Sequence, residues 1–323
     1  MKKVSSVCIF LCAFYSYSCL AQNQHILLSD MDADLVGTNG STVVNREDTL
    51  IDVAVNYHLG YNMIRSANPD VDSWLPDDGS KVLLPFSVLL PDVPREGIVI
   101  NTPEMRLYFY HQDKEGQNIV SVFPISVGRR DWATPITETR ITLRVEDPPW
   151  YPPESIRAEH AERGDSLPRI VPAGPDNPLG HHLLGLDIPS YFIHGTNKRF
   201  GIGMQVTHGC IRMYPEHIEE LFNLAPVNTP VVIINQSYKL GWRDDELYLE
   251  VHHPLELDGV TQENSRPDIM TSLTNIVESM PEMLINWDKV DEAINKATGV
   301  PVMVGKQPHS LSEFDFYQEY NEE

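Results

Sequence analysis

The chain has 323 residues, a length that suggests two or three domains at about 100–200 residues each. Hydrophobic residues make up 41% and charged residues 22%, a globular composition that excludes a collagen-like or wholly disordered chain. The formal charge of −22, from 24 basic and 46 acidic residues, argues against a surface built for nucleic acid or anionic lipid, since both need net basic patches.

Lys2 and Lys3 precede an apolar run from Val7 to Leu20 that ends at Ala21. A basic start, an apolar middle and a small final residue read as a secretory signal peptide over 1–21, cleaved after Ala21. The run is too short, and too rich in Ser and Cys, for a membrane span. The rival reading, acylation of Cys19, is weakened by Ser16, Tyr17 and Ser18, which fit a lipobox poorly. Cleavage removes Cys8, Cys12 and Cys19, so the exported chain keeps one thiol, Cys210, and cannot form an internal disulfide. A lone thiol in an oxidising compartment is a liability unless it is buried or has a task.

Beyond the signal the net charges are −8 over residues 22–96, −4 over 97–236 and −12 over 237–323, so the acidity sits on the flanks. Residues 42–91 read as a small α+β unit. Thr42-Val43-Val44 is a short strand, and Glu47-Asp48-Thr49 is a helix start. Leu50, Val53, Ala54 and Tyr57 follow as one apolar helical stripe. A second helix runs from Asn62 to Ala67 and stops before Pro69, and Val82-Leu83-Leu84 closes the unit as a strand. This strand–helix–helix–strand order, with Ala67-Asn68-Pro69, Trp74-Leu75-Pro76 and Gly79, resembles a LysM peptidoglycan-binding module. Glu47 stands where that family usually has the glycine of its Gly-Asp-Thr start. A βααβ packing unit that binds nothing is the alternative.

Residues 97–236 are mostly short β runs. Gly97–Ile100, Arg106–Tyr110, Ile119–Val127, Thr139–Val145, Tyr191–Ile193 and Val231–Ile234 are β-branched or aromatic segments bounded by Pro, Gly and Asn. Asn101-Thr102-Pro103-Glu104 joins the first two as a hairpin turn. The Pro-rich stretch 147–178 cannot feed a sheet ladder and reads as a long loop or lid, with a helix at Pro153–Arg163. The extension over 237–323 opens with a strand-like Glu246–Val251. Met283, Trp287, Val290 and Ile294 then stripe a helix, a packing face rather than a cofactor site. Residues after about 305 are acidic and aromatic without periodicity and read as frayed.

The chemistry-bearing segment is Tyr191-Phe192-Ile193-His194-Gly195-Thr196, followed after a short gap by Val206-Thr207-His208-Gly209-Cys210-Ile211-Arg212-Met213. A cysteine nucleophile reacts as thiolate, and a free thiol with a pKa of about 8.5 is only slightly ionised at neutral pH. A histidine such as His194, mounted at a strand end, can take the proton. Gly209 permits a sharp turn before Cys210 and can gather backbone N–H groups into an oxyanion hole. Arg212 offers a fork of donors to a carboxylate. Pro215 opens a helix with Ile218, Leu221 and Phe222 inward.

The full string resembles the L,D-transpeptidase (YkuD) catalytic domain, whose signature is a His-Gly strand end followed by Ser/Thr-x-Gly-Cys-(Ile/Val)-Arg. The resemblance spans 97–236 and includes Asn101–Leu107, Gly128, Thr134-Pro135 and Pro172–Gly180. It implies a mainly β, β-sandwich-like catalytic domain of two sheets, flanked by the small LysM-like unit and the mixed extension, in an α+β chain. It makes Cys210 the nucleophile and His194 the proton acceptor and donor, oriented by a backbone carbonyl near Gly195. His208 and Gly209 complete the catalytic loop, and Thr207, Arg212, Gly195 and His181 are the expected substrate contacts. No cofactor is implied.

The LysM-like front, the core and the extension together look like the periplasmic subgroup that anchors the outer-membrane (Braun) lipoprotein to peptidoglycan. The implied reaction has Cys210 attack the diaminopimelate carbonyl of a tetrapeptide stem. D-Ala leaves, and the thioester passes to a lysine ε-amine. The alternatives are 3→3 crosslinking, hydrolysis of the lipoprotein–peptidoglycan or D-Ala bond, and a non-catalytic wall-binding protein. A zinc site on His181, His182, His194, His208 and Cys210 matches no usual ligand spacing, and no local pattern supports Asp187 as a triad member.

Overall fold

The computed structural model describes residues 24–28, 33–257 and 265–307. The expected signal peptide, with Cys8, Cys12 and Cys19, and the acidic tail beyond 307 lie outside the described residues. The chain opens with β1 (His25–Leu27), β2 (Leu35–Val36), β3 (Gly40–Val43), α1 (Leu50–Asn56), α2 (Tyr61–Ala67), β4 (Lys81–Leu84) and β5 (Val88–Leu89). Strands β3 and β4 pair antiparallel, from Gly40 opposite Leu84 to Val43 opposite Lys81. Thr49 caps α1, its hydroxyl accepting from the Asp52 N–H while Asp52 accepts from the Thr49 N–H, which satisfies two donors at the helix start. Leu50, Val53, Ile64, Val82 and Leu84 bury together under the pair.

The middle of the chain supplies β6 (Gly97–Asn101), β7 (Arg106–Gln112), β8 (Asn118–Gly128), β9 (Thr137–Glu146), α3 (Glu154–Glu162), β10 (His182–Leu186), β11 (Phe192–His194), β12 (Gln205–Thr207), β13 (Ile211–Met213), α4 (Pro215–Leu224) and β14 (Pro230–Ile234). Eight of these strands form a closed hydrogen-bonded circuit, β7-β8-β13-β11-β10-β9-β14-β6 and back to β7. The sequence suggests two separate sheets, whereas here two long strands serve both sides. β8 pairs β7 from Asn118 to Pro124 and then β13 at Ile125 and Ser126. β9 pairs β14 from Thr137 to Arg140 and then β10 from Ile141 to Glu146. Pro124, which has no N–H to give, stands where β8 changes partner. Ile98, Leu107, Phe123, Ile125, Ile193, Ile211 and Val231 fill the interior, and Ile218 and Leu221 of α4 pack against it.

The extension contributes β15 (Tyr238–Arg243), β16 (Glu246–Val251), α5 (Arg266–Ser279), β17 (Leu284–Ile285), α6 (Trp287–Lys296) and β18 (Val302–Lys306). Its four strands form one antiparallel sheet in the order β15-β16-β18-β17, and Ile269, Leu273, Val290 and Ile294 pack on it. Met283, expected on the last helix, precedes it and joins the same core from the turn before β17.

Several junctions fix these parts to one another, including a direct one from Asp34 and Leu35 to Trp242 and Arg243. The N-terminal unit sits on the catalytic circuit through backbone bonds from Tyr61 N–H to Ile202 O (3.0 Å) and Asn62 N–H to Gly203 O (3.2 Å). Gly203, at φ 81°, lies so close that a Cβ there would be 2.4 Å from the Gly60 Cα. Tyr214 adds its hydroxyl to Leu59 O at 2.9 Å. The extension is joined by a buried ionic cluster. Lys239 and Arg106 reach Glu104 at 2.8 and 2.9 Å and Glu250 at 3.2 and 2.5 Å, with Tyr108 donating to Glu104 and His252 beside Glu250. Burial alone would push both carboxyls up, but Lys239 and Arg106 outweigh it and hold them below the usual carboxylate range.

Candidate active site

His194 is the last residue of β11 and is 5% exposed. β11 runs parallel to β13 with Ile193 opposite Ile211 and His194 opposite Arg212, so the strand that holds the imidazole lies beside the one that follows Cys210. The His194 Nδ1–H donates to Gly195 O at 2.7 Å. A carbonyl can only accept, so this bond fixes the tautomer and leaves Nε2 as the basic nitrogen. Burial, reinforced by the Arg212 charge, lowers the ring's pKa to about 3 against the pull of the Gly195 and Leu179 carbonyls.

Cys210 is half-buried, and its thiol points to Ser190 O at 3.5 Å rather than to His194. Ser190 sits at φ 69° in the turn between β10 and β11, a backbone region that L side chains rarely enter. Burial pushes the thiol up to about 11, only partly offset by the Phe192 N–H and by Arg212. The low-dielectric site thus penalises the charged form of each group more than its neighbours stabilise it.

The loop before Cys210 is held by its own side chains. The Thr207 hydroxyl donates to Cys210 O at 2.6 Å, and Thr207 is 2% exposed, so it is engaged with the loop's backbone and not with the cleft. Gly209 stands at φ 95°, and a Cβ there would come within 2.8 Å of the Tyr191 ring. Thr134 accepts from the Gly128 N–H and donates to Gly209 O, both at 2.9 Å, which ties the loop to the end of β8. In the sequence, Thr134 stands out only as part of the family resemblance. Its bridging role depends on a partner 75 residues away, which no local pattern signals.

Arg212 is half-buried and its Nε has no hydrogen-bond partner; among the described residues it has no carboxylate partner either. A guanidinium in that state is a ready receptor for a carboxylate brought by a substrate. His208 has a different engagement. Its Nε2 lies 3.0 Å from Glu159 Oε2 on α3, and its ring meets Trp132 edge-on at 5.1 Å. Glu159 also takes the fork of Arg129 at 2.8 and 2.7 Å, and Arg129 passes its N–H to Thr207 O. Arg129 and His208 hold the Glu159 carboxyl far below the usual carboxylate range. The Pro-rich segment thus rests on the Cys210 loop through one carboxylate.

Gly195 supplies the carbonyl that orients His194, and a Cβ on it would press on Ile218 at 3.2 Å. His181 is exposed and pairs with Asp147 at 2.7 Å, at the entry to the Pro-rich segment. His182 packs on Phe222, and Asp187 pairs with Arg140 at 3.1 Å. Among the described residues the five side chains weighed as zinc ligands do not converge.

The profile of the YkuD family, described as the L,D-transpeptidase catalytic domain, matches residues 95–233. The chain is 36% identical over 308 residues to the probable L,D-transpeptidase ErfK/SrfK of Escherichia coli (strain K12), which covers 94% of this chain and 97% of that protein. It is 42% identical over 227 residues to the probable L,D-transpeptidase YcfS of the same organism, covering 68% and 70% of the two chains. Among solved structures, L,D-transpeptidase 3 from Mycobacterium tuberculosis aligns over 49% of this chain and 76% of its own, with 13% identity and a TM-score of 0.32. With near full-length identity above one third and the catalytic-domain profile lying across the Cys210 and His194 strands, the chain belongs to the L,D-transpeptidase (YkuD) family.

Proposed function

We propose that this enzyme uses Cys210 to take the acyl group of a peptidoglycan tetrapeptide stem and passes it to an amine, the C-terminal lysine of an outer-membrane lipoprotein, in the periplasm. The observation that carries this reading is the Nδ1–Gly195 bond of His194, which leaves one basic nitrogen on a residue in register with Arg212, two positions beyond Cys210. The thiol proton moves to His194 Nε2 as Sγ adds to the stem carbonyl. The tetrahedral adduct collapses, the C–N bond to D-Ala breaks, and His194 returns the proton to the leaving amine. The incoming amine then adds to the thioester and gives its proton to His194, which restores the thiol as Sγ leaves. Arg212, unpaired beside this path, suits a stem carboxylate. We assign the N-terminal βααβ unit to glycan binding; Trp74, 67% exposed beside the Tyr61 ring, offers an aromatic face to a sugar.

The test offers labelled tetrapeptide stem together with a lysine-ended lipoprotein peptide and a second stem, and weighs the products. Released D-Ala with an amide to the lysine peptide is expected, and none from Cys210→Ala. A product joined only to the second stem would replace lipoprotein attachment with 3→3 crosslinking. Free tripeptide alone would make the enzyme a hydrolase, and transfer by Cys210→Ala would remove the nucleophile assignment.

A further inference from the structure

Outside the Cys210 cleft, one cluster of side chains has donor atoms and no complete set of partners. His217 lies in the first turn of α4, is 2% exposed, and has neither ring nitrogen hydrogen-bonded. Phe123, Tyr214 and His58 surround it with ring centroids at 5.0, 5.4 and 5.5 Å, which accounts for its packing but not for its two nitrogens. Buried polar groups in native proteins are almost always satisfied, so an orphaned imidazole asks for a partner. Glu216 is its neighbour, and His58 Nε2 of the N-terminal unit lies 3.2 Å from Glu216 Oε1. The ligand atoms of these three residues lie within 4.8 Å of one another.

We propose that His58, Glu216 and His217 form a binding site for a divalent transition-metal ion of the zinc class, bridging the N-terminal unit and helix α4. Two imidazoles with one carboxylate are the donor set of three-ligand zinc sites that keep a water in the fourth position, and nitrogen donors select against magnesium and calcium. Bond lengths of about 2.0–2.2 Å place ligand atoms roughly 3–3.5 Å apart, a small contraction from the observed spread. His58 holds its place at φ 54°, in the turn where α1 ends, a conformation that histidine tolerates better than most residues.

Arg199 is the competitor, forking onto Glu216 at 2.7 and 2.6 Å. It is 36% exposed and can release Oε1 toward solvent while keeping Oε2. The other cluster of similar composition, Glu104 with Glu250 and His252, is a contrast. Its carboxylates already accept from Arg106, Lys239 and Tyr108, so a cation there would meet two positive neighbours.

The test uses the untagged full chain carrying Cys210→Ser, so that the thiol cannot bind metal, after removal of metals by a chelator. Calorimetric titration with Zn²⁺ alone is expected to give one equivalent per chain. Co²⁺ should show visible absorption of a nitrogen–oxygen site without a thiolate charge-transfer band. His217→Phe, which keeps the ring packing, and His58→Ala should each weaken binding at least tenfold. Zn²⁺ should raise the thermal midpoint of the parent and leave that of His217→Phe unmoved. Absence of a stoichiometric isotherm in the parent, or unchanged affinity in His217→Phe, would overturn the site.

Discussion

The charge state of Cys210 and His194 is set by their surroundings more than by each other. With the thiol pushed up to about 11 and the imidazole down to about 3, the competent form, thiol plus neutral ring, spans the whole interval between those values. From these two groups, kcat/KM should therefore stay level between about pH 5 and pH 9. Alkylation of Cys210 by iodoacetamide needs the thiolate and should keep climbing with pH, with no plateau below about pH 10. A half-maximal alkylation rate near neutrality would show a standing ion pair instead. His194→Ala should lower turnover by ~10²–10⁴-fold, the usual worth of a positioned acid–base group. Thr134→Val removes the bridge between the Gly128 N–H and Gly209 O and should cost about 1–3 kcal/mol of stability for the buried groups left unpaired. Turnover should fall with it; an unchanged denaturation midpoint would remove Thr134 from the support of the loop. Cys210, His194 and Arg212 are legible in the sequence because they fall in two short strings separated by one short gap. Thr134 and Glu159 are not, since their partners in the loop lie 75 and 49 residues away.

Helix α3 is placed by two residues of different kinds, Ile156 as its buried apolar side chain and Glu159 as its polar link. Glu159 is its link to Arg129 and His208, and the remaining anchors of the Pro-rich segment are separate from it. These include the Asp147–His181 pair, the Trp150–Val171 bridge and Asn177, whose amide donates to Pro148 O at 2.8 Å. Glu159→Gln should thus raise amide hydrogen exchange across 154–163 by tenfold or more, while the exchange of β8 and β9 stays unchanged. Equal protection in the two proteins would mean that the segment is held by other contacts. At this scale the sequence speaks unevenly. The long strands β8 and β9 and the helices α1, α3 and α4 carry clear apolar patterns or proline signals. β12 and β13 are three residues each, too short for any alternation to register, and they owe their existence to pairing with β8. Helix α5 escapes because its Met, Thr and Ser content blurs the apolar stripe, with only Ile269 and Leu273 fully buried.

Across the whole molecule, the extension is bound to the catalytic circuit by a buried cluster of charge, with Leu255 reaching the circuit's apolar core beside it. Glu250 on β16 faces Arg106 of β7 and Lys239 of β15 with all three essentially inaccessible to solvent. Removing one partner from such a cluster leaves the others buried and uncompensated, so Glu250→Gln should destabilise the protein by about 3–5 kcal/mol in urea unfolding. A loss under about 1 kcal/mol would show that water reaches the cluster. The sign with pH is fixed by the depressed carboxyl pKa values. The stabilisation is present above the ordinary Glu range and is lost as the solution is acidified from that range down through the depressed values. No sequence pattern announces this cluster, because Glu104, Arg106, Lys239 and Glu250 read singly as surface charges. Charge distribution and strand spacing suggest a three-part division of the chain, and neither carries any sign of how the parts are joined.

The contact between Gly60 and Gly203 bears on how such a protein would work along a polymer. With no Cβ on either side and two main-chain bonds spanning the seam, the front unit has no tether on which to swing. If that unit grips a strand of the wall, the thiol is carried to a constant offset from the grip. The molecule then acts as a ruler: the spacing of its products is written into two hydrogen atoms where side chains would otherwise stand.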